Sequence, residues 1–229
     1  MDQFVLDLLA GNDEHAQQFA DCFDDLQTAQ QPDAVTVCCG DSRVLQDGMW
    51  DTPAPGHLFT HSNIGNRVTE VTDDGRVVTG DVLYPLVHTD TQVAIVTGHT
   101  GCGAVTAAYR DLTTGIDEPA SIQRCLDLLE RDIAPGFDLL PDNIDDGTAI
   151  NSLVEYNVDT QVAALCDSPD VPDGVTVLGV VYDFQDIYGG ERGEVHVTTV
   201  DGERDPAALR AAYPEIADRI RRLFPYETA

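Results

Sequence analysis

Apolar residues recur along this chain with two different periods, and the alternation between them outlines the fold. Over residues 14–30 they fall at Ala16, Phe19, Ala20, Phe23 and Leu26, the spacing of a helix with one covered face. Gln31-Pro32-Asp33 interrupts that pattern. The next run, Ala34–Cys39, is uniformly apolar or small, as in a strand buried on both faces. A second strand is expected around residues 57–62. A helix follows over 79–89, where Val82, Leu83, Leu86 and Val87 share a face. Residues 92–97 (QVAIVT) predict a third strand, and 175–182 (VTVLGVVY) a fourth. Helical patterns lie just after Cys102 and over 149–164. Residues 194–199 (EVHVTT) read as an antiparallel partner at the sheet edge. The stretch 206–223 is predicted as one helix ending in Arg219, Arg221 and Arg222, cations well placed for the dipole.

Strands alternating with helices predict an α/β fold. The expected form is a mostly parallel central sheet flanked by helices, with an antiparallel edge strand near the C-terminus. The acidic, turn-rich stretch 138–147 is too short to act as a linker between domains, so residues 1–229 are expected to form one.

Charge narrows the partners. Asp and Glu number 41 against 12 cations, every one of them Arg, for a formal net charge of -29. Such a surface repels nucleic acid and anionic lipid, so neither is an expected partner. The acids are spread along the sequence (Asp24, Asp25, Asp73, Asp74, Asp142, Asp145, Asp146) and form no tail. This distribution suits a very salty cytoplasm, where ions screen the self-repulsion over a few ångströms. No apolar run approaches membrane-spanning length, and acid stands where a secretory leader would carry Lys or Arg. A soluble, cytoplasmic protein is expected.

The six cysteines have no disulfide spacing. Two motifs follow predicted strands, where open α/β sheets place their sites. One is Cys39-Gly40-Asp41-Ser42-Arg43, and the other is His99-Thr100-Gly101-Cys102-Gly103. If the two strands lie side by side, Cys39, His99 and Cys102 bring two thiolates and one imidazole to one point. That donor set suits tetrahedral zinc with one position left open, the catalytic pattern. Cys22, Cys38, Cys125 and Cys166 read as small buried hydrophobes.

Cys-x-Asp-Ser-Arg followed by His-x-x-Cys resembles the β-class carbonic anhydrases, most strongly between residues 30 and 105. The resemblance implies zinc on Cys39, His99 and Cys102. It further implies reversible hydration of carbon dioxide to bicarbonate and a proton by a zinc-bound hydroxide. Asp41 would orient the reacting solvent and Arg43 would hold Asp41 ionised. Gln30, Phe59 and Tyr84 match pocket residues that, in the family, reach the metal across a subunit interface. Gly103 matches a glycine whose backbone N–H steadies the reacting oxygen. A homodimer or higher even oligomer is therefore implied, with residues 1–29 as an arm packing on the partner. Ser62 stands where the family commonly has Arg, and Thr36 where regulated members have Trp. The bicarbonate-inhibited subgroup is therefore not the expected one. Two alternatives stay open: hydrolysis of carbon disulfide or carbonyl sulfide on the same zinc, and a non-catalytic zinc protein.

Overall fold

The computed structural model describes residues 2–73 and 75–226. It begins with α1 (Gln3–Phe19), capped by the Asp2 carboxylate on the Phe4 N–H, and a 3-10 turn at Ala20–Phe23. The first helix thus lies earlier than the 14–30 periodicity predicts and stops before residue 30. None of its side chains is buried, so packing does not fix its end.

The sheet contains β1 (Ala34–Cys39), β2 (Leu58–Asn63), β5 (Val93–His99), β6 (Thr176–Asp183) and β7 (Glu194–Val200), in the order β2-β1-β5-β6-β7. The first four run parallel, and β7 pairs antiparallel with β6 at the edge, as the sequence pattern predicts. A separate hairpin of β3 (Thr69–Thr72) and β4 (Gly75–Val78) was not anticipated. Its short, mostly exposed strands carry too few residues for a periodic signal.

The helices are the short α2 (Gln46–Met49), α3 (Gly80–His88), α4 (Gly103–Thr114), α5 (Ala120–Phe137), α6 (Asp146–Cys166) and α7 (Pro206–Ala212). Helix α5 was missed, although Leu126, Leu129 and Ile133 give it a buried stripe at helical spacing. Helix α6 lies against β5 and β6, and the approach is close. A Cβ on Gly98 would stand 2.7 Å from Val158 Cγ2 and 2.9 Å from Val154 Cγ1. Only glycine lets β5 pass at that depth, one residue before His99.

The helix expected over 206–223 is broken. It ends at Ala212, a 3-10 turn spans Pro214–Arg219, and Ile220 bridges to Val197 on β7. Pro214 cannot continue the helical ladder. Arg221 and Arg222 therefore lie outside any helix. Arg222 is drawn into the protein, where its guanidinium meets Glu155 (3.1 Å) and Asp159 of α6. The attraction of two buried carboxylates replaces the expected dipole role. No helix among the described residues is long and apolar enough to cross a membrane.

Candidate metal and catalytic site

Because β1 and β5 are neighbours in parallel register, Cys38 facing Thr97, their carboxyl ends emerge side by side. Cys39 closes β1 and His99 closes β5; the chain then turns through Gly101 (φ +59°) to Cys102 at the N-cap of α4. A positive φ suits glycine. The space is also taken, since a Cβ there would meet Gln185 Nε2 at 2.7 Å.

The donor atoms of Cys39, His99 and Cys102 lie within 4.8 Å of one another, and all three residues are buried. No other trio of this kind occurs among the described residues. The two sulfurs are 3.6 Å apart, against about 3.8 Å for thiolates sharing one tetrahedral zinc. His99 Nδ1 faces the Thr100 carbonyl at 3.1 Å, which places the proton on Nδ1 and leaves Nε2 as a free base. That Nε2 is buried and makes no hydrogen bond. An orphaned imidazole nitrogen aimed at two touching thiols fits a borderline-soft divalent cation. The hydrogen bond from Cys102, with further help from the Gly65 N–H (3.5 Å), lowers the Cys39 thiol to about 5. The same bond to Cys39, reinforced by burial, pushes Cys102 up. The backbone N–H groups of Val105 and Ala104 work against that rise.

Asp41 and Arg43 sit at the rim. Arg43 donates from Nε (2.8 Å) and Nη2 (2.6 Å) to the two carboxylate oxygens, and its backbone N–H adds a third bond at 2.9 Å. Those bonds from Arg43 hold the Asp41 carboxyl well below the usual range. Asp41 Oδ2 lies 3.6 Å from His99 Nε2, so the carboxylate borders the place where the three donors point.

The remaining sequence-predicted residues divide. Gly103 opens α4 beside the cluster, with nothing within 4 Å of its would-be Cβ. Phe59 and Tyr84 face each other, ring centroids 6.4 Å apart. Phe59 pairs with Val35, four residues before Cys39 on β1, which is about 13 Å along the strand. Gln30 is exposed ahead of β1, at the end away from the cluster. One chain thus gathers the donors, Asp41, Arg43 and Gly103, and keeps Gln30, Phe59 and Tyr84 apart. The four other cysteines differ among themselves: Cys38 is buried, Cys125 half-buried, and Cys22 and Cys166 lie on the surface. Surface exposure corrects the expectation for those last two. A cavity of about 530 Å³ against Trp50, Leu178 and Ile216 includes none of the candidate residues.

Sequence reasoning overlooked the turn after β6. Phe184 stacks on the His99 ring (5.9 Å, 28°) and lies beneath the Arg43 guanidinium (4.5 Å). Asp183 accepts from Thr100 Oγ1, and Asn151 Oδ1 accepts from the Gly101 N–H. For Asp183 and Phe184, a place at the end of a parallel strand beside β5 was the available signal; Asn151, inside α6, left none.

The sequence profile of a family described as carbonic anhydrase matches residues 34–192, most of the chain and all of the cluster. The chain belongs to the carbonic anhydrase family. A carbonic anhydrase of Pseudomonas aeruginosa is 27% identical over 199 residues, covering 85% of this chain and 84% of that protein. One of Emericella nidulans is 32% identical over 138 residues, 59% of this chain. This chain spans only a little over half of the Emericella relative, 56%. Among solved structures, the tetrameric β-carbonic anhydrases of the ascomycete Sordaria macrospora superpose with a TM-score of 0.65 at 22% identity. That match covers 86% of this chain and 97% of theirs. The family's β-class fold is the fold seen here.

Proposed function

We propose that this carbonic anhydrase family member hydrates carbon dioxide reversibly, with zinc held by Cys39, His99 and Cys102. The observation that carries the reading is the free His99 Nε2, buried against two thiols with an ionised Asp41 3.6 Å away. Zinc, when bound by these donors, supplies a Lewis acid that makes a coordinated water acidic near neutral pH. Asp41 accepts a hydrogen bond from the reacting water and aims its lone pair at the carbon. Arg43, forked onto both Asp41 oxygens, keeps that carboxylate an acceptor and fixes its plane. The free N–H of Gly103 at the start of α4 donates to the oxygen on which charge develops.

Gln30, Phe59 and Tyr84 act from a second copy of the chain. Their distance from the cluster within one subunit supports this arrangement. So does α1, which shows Phe4 (67%), Leu8 (57%) and Leu9 (55%) to solvent. Apolar side chains presented in such a row call for a cover. We read residues 1–229 as one domain whose residues 1–29 form an arm on that partner, and the assembly as a homodimer or a multiple of it. The tetramers of the Sordaria structures agree with an even number. The net charge of -29 and the absence of Lys suit a halophilic cytoplasm.

Stopped-flow hydration of carbon dioxide in molar salt, before and after a chelator, tests the assignment. Activity should vanish with the metal and return with zinc; metal-loaded protein without activity would refute it. Elemental analysis gives a second check, since Cys102→Ser should lose the metal.

A further inference from the structure

Phe184 stands between two regions of the site that the chain builds separately. One face of its ring lies along the imidazole of His99, centroids 5.9 Å apart and 28° from parallel. The Arg43 guanidinium carbon sits 4.5 Å from the ring centroid. We propose that Phe184 is a positioning residue for the hydration reaction, an aromatic platform that keeps Arg43 folded over Asp41 beside His99. This inference rests on the function proposed above.

The need for a platform follows from the exposure of the pair. The Arg43 side chain is 49% exposed, and the Asp41 side chain 14%. An ion pair open to water gains little by itself and leaves a long side chain free to choose other rotamers. Two further contacts restrict Arg43: Nη2 donates to the Gly101 carbonyl at 3.2 Å, and the guanidinium carbon lies over the Phe184 ring. The carbonyl holds one nitrogen; the ring beneath the guanidinium carbon would keep the group in the plane that a bidentate fork requires. If that plane tilts, Asp41 loses one of its two side-chain donors and its orientation toward His99 Nε2.

The turn that presents Phe184 is itself held from both sides. Asp183, 1% exposed, accepts from Gln185 N (3.1 Å) and Thr100 Oγ1 (3.2 Å) on one oxygen. Its other oxygen accepts from Tyr188 N (2.8 Å). Farther along the turn, Arg221 donates to the carbonyl of Tyr188 at 2.6 Å and to that of Gly189. A side chain on so constrained a backbone can act as a fixed surface. Bare packing of the buried His99 would need no such alignment with a half-exposed arginine.

The test compares Phe184→Leu, which keeps bulk without a flat face, with Phe184→Trp, which keeps the face. Both are assayed as the zinc-loaded protein for metal content, melting, kcat and KM. Exchange of the Arg43 Nε–H with water, followed by NMR, reports on the fork independently of turnover. Phe184→Leu should retain its metal, lower kcat about ten- to a hundredfold with KM unchanged, and speed that exchange. Phe184→Trp should recover most of both. Full kcat in Phe184→Leu, unaltered exchange, or a Trp variant no better than Leu would each overturn the proposal. If the unmodified protein hydrates no carbon dioxide, the functional reading fails, while the exchange measurement still decides whether Phe184 holds Arg43.

Discussion

Arg43 and Arg222 each fork onto carboxylates, the first with 49% of its side chain in water and the second with 9%. Arg43 meets Asp41, two residues away in sequence, across a tight turn whose own backbone supplies one of the bonds. Arg222 reaches Glu155 and Asp159 on α6, more than sixty residues upstream, and donates as well to the carbonyls of Thr198 and Arg204. Leu223 and Phe224 add backbone N–H bonds to Glu155, and Tyr226 donates to Asp159. The buried group thus stitches the C-terminal segment to the central helix. Its carboxylates have no water to fall back on, so each must keep its donors. The exposed pair can lose its partner and be solvated, at little cost to the fold. The same functional groups serve cohesion in one place and, in the proposed function, chemistry in the other, and solvent access makes the difference.

Arg222→Leu gives the largest expected effect. Two buried carboxylates lose their counter-ion, and unfolding by denaturant should show a loss of about 3–5 kcal/mol. A loss under about 1 kcal/mol would place the buried cluster with ordinary surface pairs and erase the contrast. Arg43→Ala and Asp41→Asn test the other half. Hydration should fall about a hundredfold or more, with zinc retained and stability changed by no more than about 1 kcal/mol. Near-full activity in either variant would remove the pair from the reaction.

The two regions should also respond oppositely to pH. Burial pushes Glu155 up to about 7 from 4.5, against the pull of Arg222. The folded protein then keeps a proton that the unfolded chain releases above about 4.5. The stability from this group is full at low pH, falls as pH rises toward 7, and is flat beyond. Glu155→Gln should flatten that slope in melting curves taken between pH 4.5 and 7.5. Asp41 behaves in reverse: its carboxyl is held down mainly by the Arg43 bonds, so its contribution is present above 3.8 and lost on acidification. The smallest expected effect sharpens the contrast by screening. Any difference in melting temperature between Arg43→Ala and the unmodified chain should disappear in molar salt, where charges are screened over about 3 Å. The Arg222→Leu deficit should persist there. Equal salt dependence of the two would argue against solvent access as the deciding variable.

Both motifs were legible because each is local and each follows a run of apolar residues. Cys39 and His99 end strands whose continuity announces a parallel sheet, and the turn after each strand needs only a few neighbouring residues to form. Phe184 left a weaker trace. An aromatic after a strand usually packs, and only its place beside β5 gives it Arg43 and His99 as neighbours. Arg222 misled, since cations at the end of a helical pattern suit a helix dipole. Pro214 breaks that helix, and the segment beyond it follows buried charge instead of its own propensity. Glu155 and Asp159 look like solvent-facing acids in a helix, because nothing nearby in the sequence reveals that a distant segment covers them.

The chain by itself determined its alternation of strands and helices, its acidic composition, and the identity of three candidate metal donors with an acid and an arginine between them. These follow from spacing and chemical type, which act over a few residues. The tertiary structure decided that β1 and β5 are neighbours, that His99 Nε2 is left without a hydrogen bond, and that Phe184 lies under Arg43. It also decided which arginine is wet and which is dry. Such outcomes depend on which surfaces exclude water from which groups, and desolvation belongs to the packed whole and to no single stretch of sequence.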